Sequence, residues 1–89
     1  MLGESLAVAS AKPAKLLDTK GLLCPAPVIK TSQAVKQIQV GEVLEVVATD
    51  PGSKPDLTSW ARMTGNELIS MSEDQGTPKV YTFHIRRMK

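Results

Sequence analysis

Among the 89 residues there is one cysteine, Cys24, and it is followed at once by Pro25-Ala26-Pro27. A thiol becomes a strong nucleophile once it loses its proton, and its acidity follows its surroundings. A single cysteine forms no internal disulfide, and Cys24 with the one histidine, His84, is too small a ligand set for a metal. The chemistry left to it is attack on, or oxidation by, something outside the chain. Against this stands a plainer reading, in which a lone cysteine is a small buried hydrophobe and a Pro-x-Pro run only starts a helix. Position alone leaves both open.

The prolines bear on the first reading. Proline is tolerated in the first helical turn, where amides have no intrahelical acceptor, and its ring fixes φ near −65°. The run therefore predicts Pro25 at the first helical position, Pro27 at the third and Cys24 at the cap. Free amides such as those of Ala26 and Val28 would then point back toward the sulfur, with the helix macrodipole adding about half a positive charge. Such a field favours the thiolate. The expectation is a stiff pedestal holding one acidic thiol outward.

Around this segment the periodicity supplies the elements. "KLLDT" (15–19) predicts a short strand, ended by Lys20-Gly21. From Pro25 to Gln39, Val28, Thr31, Val35 and Ile38 fall on one helical stripe with Ala34 at its edge, while Lys30, Gln33, Lys36 and Gln37 face away. "EVLEVVATD" is β-branched, apolar on both faces and bounded by Gly41 and Asp50-Pro51-Gly52, as suits a strand inside a sheet. A second helix follows, with Leu57, Trp60, Ala61 and Thr64 on one face and Gly65 at its end. "ELISMSE" and "VYTFHIRR" predict a closing hairpin, in which Tyr81, Phe83 and Ile85 alternate with Thr82, His84 and Arg86. The order is βαβαββ. The crossover helix implies a parallel pair, and the simplest packing is a two-layer α+β sandwich: a four-stranded mixed sheet with two helices on one face.

Length suits one domain, over 14–89, with 1–13 an Ala/Ser-rich tail expected to be disordered. That tail carries Glu4 where a secretory signal wants a cation. Apolar runs are too short to span a bilayer, and a free single cysteine suits a reducing, cytoplasmic setting. Net charge is +2, with one Trp, one Tyr and one Phe. That is a weak case for nucleic-acid binding, which wants a dense basic face and stacking aromatics.

The segments "GLLCPAPVIKT" and "GEVLEVVATDPGSKPDLTSWARMTGNEL" resemble the TusA-like family of small sulfur carriers. The resemblance runs from about Lys15 to the C-terminus. Its diagnostic element, Cys-Pro-x-Pro, is met by Cys24, Pro25, Ala26 and Pro27, the preceding Gly-Leu by Gly21 and Leu22, and the Asp-Pro-Gly turn by Asp50, Pro51 and Gly52. It implies the same βαβαββ sandwich, with Cys24 carrying sulfane sulfur as a persulfide. The sulfur would come from a donor protein, a cysteine desulfurase or a rhodanese-like enzyme, and pass to an acceptor protein in sulfur metabolism or tRNA thiolation. Gly21, Pro25, Pro27 and Asp50 would shape the site. The resemblance implies no metal, flavin or nucleotide cofactor, and transfer between proteins rather than stand-alone catalysis. Two departures matter. Relatives often carry a second cysteine after the helix tryptophan, where this chain has Ala61, which excludes an internal dithiol mechanism. Relatives acting on tRNA often carry a basic residue before the cysteine, where this chain has Leu23.

Lys20, Lys30, Lys54 and Arg62 are candidates for partner contact, although exposed cations more often only face solvent. Trp60 reads as core, His84 as a solvent-side residue without a role. The chain is expected to be a monomer. Two other classes stay in view: a non-catalytic module binding RNA or protein, and a redox sensor at Cys24.

Overall fold

The structure, a computed structural model, describes residues 13–89, so the expected tail lies outside the described residues except for Pro13. The elements are β1 (Lys15–Thr19), α1 (Ala26–Val35), β2 (Val43–Ala48), α2 (Ser53–Thr64), β3 (Glu67–Asp74) and β4 (Val80–Arg86). They form one sheet in the order β1-β2-β4-β3. β1 and β2 run parallel, with Leu17 opposite Val46 and Thr19 opposite Ala48. β4 is antiparallel to both of its neighbours. Parallel neighbours need a crossover, and α1 supplies it. This is the βαβαββ sandwich that the periodicity implies.

The core lies between the sheet and both helices. Leu44, Val46 and Ala48 of β2 are fully buried and face Phe83 and Ile85 of β4 in register, beneath Leu57, Trp60 and Ala61 of α2 and Ala34 and Val35 of α1. Among the described residues, the two helices cover one face of the sheet. On the other, Glu45 and Val47 are half-exposed, and His84 is tied across three strands: Nε2 lies 2.9 Å from Glu45 Oε1 and Nδ1 3.1 Å from Ser70 Oγ. His84 thus stands on the solvent side as expected, but as a cross-strand tie.

α1 is shorter than its apolar stripe suggests. It ends at Val35 rather than Gln39, and Gln37 and Ile38 donate to carbonyls three residues back, a tightened last turn that still carries buried Ile38 into the core. α2 closes on Gly65 at φ +77°, while the N–H of Asn66 reaches back to the Ala61 carbonyl. That left-handed stop costs a glycine little and would strain any residue with a Cβ. Two buried hydroxyls are satisfied locally, Thr19 Oγ1 on the Val47 carbonyl and Thr31 Oγ1 on the Pro27 carbonyl, each at 2.7 Å.

Candidate functional site

Parallel pairing brings the C-terminal ends of β1 and β2 side by side, and the loops leaving them meet. Gly21 turns the first loop at φ +83° and donates its N–H to Thr49 Oγ1 at 2.9 Å. Three residues on, the N–H of Cys24 donates to Asp50 Oδ2 at 2.7 Å. Asp50 also begins α2: its Oδ1 accepts from the Gly52 N–H and its carbonyl from the Ser53 N–H. One aspartate therefore sets both the position of the cysteine and the start of the second helix.

The helix start differs from the expected one by a residue. Pro25 is the N-cap, Ala26 opens α1 and Pro27 is buried in its first turn. The Ala26 N–H is taken by the Leu23 carbonyl at 2.9 Å, a tight turn that leaves Cys24 outside the helix. The Cys24–Pro25 peptide is cis. The cysteine is exposed, which disposes of the buried-hydrophobe reading.

Its chemistry also differs from expectation. Cys24 Sγ lies 2.7 Å from Asp56 Oδ2 in α2 and donates its proton there. That hydrogen bond, with desolvation and the negative charges of Asp56 and Asp50 added, raises the thiol above its ordinary range. The helix field was expected to lower it. About half a positive charge spread over the first amides of α1 loses to a full carboxylate charge at hydrogen-bond distance. The proton is thereby held more tightly on Cys24 in the free protein.

Beside the sulfur runs an open groove of about 450 Å³ between the outer sides of α1 and α2, lined by Cys24, Pro25, Val28, Asp56, Trp60 and Met63. Trp60 is buried on one edge, with Nε1 donating to Ser32 Oγ at 2.7 Å. Met63, 85% exposed, and Leu23, 75% exposed, leave apolar surface bare on either side of the cysteine.

The four cations singled out from sequence are elsewhere. Lys54 pairs with Glu73 at 2.6 Å and sits 5.9 Å from the Tyr81 ring centre. Lys30 borders a separate shallow cavity with Lys15 and Gln33. Lys20 and Arg62 are exposed. None of the four lines the groove. The residue that sequence reasoning passed over is Asp56, 32 positions from Cys24; its one signal is an acidic side chain in the first turn of α2.

The sulfurtransferase TusA family model matches residues 15–87. YrkI of Bacillus subtilis is 43% identical over 63 residues, covering 71% of this chain and 84% of the relative. The sulfur carrier protein TusA of Allochromatium vinosum is 43% identical over 60 residues, covering 67% of this chain and 79% of the relative. Two other relatives are longer proteins, of which this chain spans 36% and 29%. Among solved structures, a SirA-like protein from Desulfitobacterium hafniense superposes with a TM-score of 0.67 at 22% identity, covering 84% of this chain and 99% of that one, a likeness of fold.

Proposed function

This chain belongs to the TusA sulfurtransferase family, and from that premise we propose that its sulfur-carrier function is performed by Cys24, as a persulfide. The supporting observation is the presentation of that residue: an exposed thiol at the junction of two loops, its backbone pinned by Asp50 and its flanks bare and apolar. Gly21, Pro25 and Pro27 shape the loop and the helix start around it.

The transfer conserves atoms and electrons. The Cys24 sulfur bonds to the outer sulfur of a donor persulfide, the donor's own S–S bond breaks, and the electron pair departs on the donor thiolate. The proton given up by Cys24 equals the one that thiolate takes up. Thiol plus donor persulfide become Cys24 persulfide plus donor thiol, with no net oxidation. Discharge to an acceptor thiol repeats the step in reverse. Donor and acceptor are proteins, the donor a cysteine desulfurase or rhodanese-like enzyme, and Lys20, Lys30 and Arg62 are exposed for contact with them, whereas Lys54 is held by Glu73. A cytoplasmic setting fits a thiol that must stay reduced. A redox sensor is the poorer reading, because the matching family model and relatives are those of sulfur carriers.

Incubation with a cysteine desulfurase and cysteine tests this. The tryptic peptide containing Cys24 should gain the mass of one sulfur, lose it on reduction, and gain nothing in Cys24→Ser. A wild-type peptide that stays at its thiol mass while the desulfurase turns over would overturn the proposal.

A further inference from the structure

The carboxylate on Cys24 stands in the way of the reaction. Attack on a persulfide needs thiolate character, yet Asp56 Oδ2 receives the thiol proton at 2.7 Å and Asp50 adds a second negative charge from the neighbouring loop. A persulfide anion formed at the same sulfur would meet the same two carboxylates. Among the described residues, no cation lines the groove beside Cys24. Among the described residues the ion pairs are Lys54–Glu73, Lys79–Glu73, His84–Glu45 and Arg86–Glu67, none of which involves Asp50 or Asp56.

The surroundings of Asp56 indicate what would supply one. The carboxylate lies at the wall of the groove, whose other lining is mostly the apolar surface of Pro25, Val28, Trp60 and Met63, with Ser59 and Thr64 beside it. An acidic head with an apolar trough beside it matches the two halves of an arginine or lysine: a charged end and an aliphatic stem that covers hydrophobic surface. Arginine matches better, since its planar fork grips a carboxylate through two bonds. We propose that Asp56 keeps Cys24 as a thiol in the free carrier, and that an arginine of the sulfur-exchanging partner protein, seated in this groove, pairs with Asp56 and frees the sulfur to react.

The pairing converts Asp56 from the acceptor of the thiol proton into the counter-ion of the partner's guanidinium. The same guanidinium then faces the persulfide anion once it forms. The thiol is quiet toward small electrophiles in solution and reactive only in the encounter that uses it. This inference rests on the sulfur-carrier reading for its partner half, and on geometry alone for the thiol half.

The experiment compares two reactions of the same sulfur in wild type, Asp56→Asn and Asp56→Glu, with folding checked by circular dichroism. The first is alkylation of the free chain by iodoacetamide across pH. The second is single-turnover sulfur loading from a purified, persulfide-bearing cysteine desulfurase at several salt concentrations. In Asp56→Asn the alkylation midpoint moves down and the rate at pH 7 rises about tenfold, the effect of about one pH unit on the thiolate fraction. Loading moves the other way, slowing by roughly tenfold and losing part of its salt dependence as the charge pair with the partner is lost. Asp56→Glu retains both wild-type behaviours in part. An alkylation midpoint unmoved in Asp56→Asn, or loading that accelerates in step with alkylation, would overturn the inference while leaving the carrier reading intact. A wild-type chain that takes up no sulfur would overturn both.

Discussion

The backbone N–H of Cys24 and the side chain of Asp50, 26 residues apart, are joined by a 2.7 Å hydrogen bond across the ends of two parallel strands. Ligand sites of parallel sheets gather at such strand ends, because loops leaving adjacent strands on the same side must share space. Here the bond fixes where the cysteine sits, while the prolines after it fix where the helix goes.

Replacing Asp50 tests that division. Asp50→Ala removes acceptors from the N–H groups of both Cys24 and Gly52. With a charged acceptor in a half-exposed loop, the loss is about 1–3 kcal/mol of unfolding free energy. Asp50→Asn keeps one acceptor oxygen and should lose less. Urea denaturation gives the energies, and the amide exchange of Cys24 should accelerate in both variants, more in Asp50→Ala. Protection of that amide unchanged in Asp50→Ala would mean the loop is held by something else.

How much of this was legible in the sequence follows from what each part depends on. The alternation of Tyr81, Phe83 and Ile85 was readable because one side of β4 meets the core, and a period of two leaves no other way to bury all three. The α1 stripe and the Gly65 stop were readable because they follow from local geometry. The start of α1 falls one residue later than the prolines suggest, since a proline fits the cap and the first turn alike and only the Leu23–Ala26 turn decides between them. The thiol's acidity lies beyond local reading for a deeper reason. The helix field is local and can be read along the chain, whereas Asp56 reaches Cys24 only because the β1–α1–β2 crossover folds the two loops together.

Core and groove should separate in their response to mutation. Phe83 is fully buried at the centre of the sheet. Phe83→Ala should cost about 3–5 kcal/mol, against a total of roughly 4–13 kcal/mol for a domain of this length. Met63 is 85% exposed, and Met63→Ser should alter stability by less than about 0.5 kcal/mol. It should nevertheless slow sulfur loading from a desulfurase, since it strips the apolar wall beside Cys24. Chemical denaturation and single-turnover loading, run on both variants, read out the two effects; an unaffected loading rate in Met63→Ser would remove that wall from the docking surface.

Trp60 offers an optical test of the same groove. It is the one tryptophan in the chain, buried at its ring and lining the groove that contains Cys24. Alkylating Cys24 with a neutral reagent should shift or quench its emission, whereas alkylation of Cys24→Ser should do nothing. Ser32→Ala removes the 2.7 Å acceptor of the part-buried indole N–H, at a cost of about 0.5–1.5 kcal/mol. Emission that ignores the state of Cys24 would place the ring out of contact with the sulfur in solution.

The pair Lys54–Glu73 makes the stability of the fold depend on pH. Glu73 is held below the ordinary carboxylate range, first by the hydrogen bond from Lys54, with Lys79 at 3.7 Å contributing less. A carboxyl lowered on folding stabilises the fold above its unfolded value of about 4.3, and that contribution fades as pH falls through the folded value. Lys54 is raised by the same bond, so its contribution is complete below about 10.4 and fades as pH rises through its folded value. The link between α2 and β3 therefore acts across the plateau between. Glu73→Gln should melt below wild type at pH 7, with the difference shrinking in high salt because the pair is partly exposed. Below the folded value of Glu73 the wild-type carboxyl is itself neutral, and the two melting curves should converge. A gap that persists undiminished at pH 2 would assign the difference to packing of the side chain rather than to its charge.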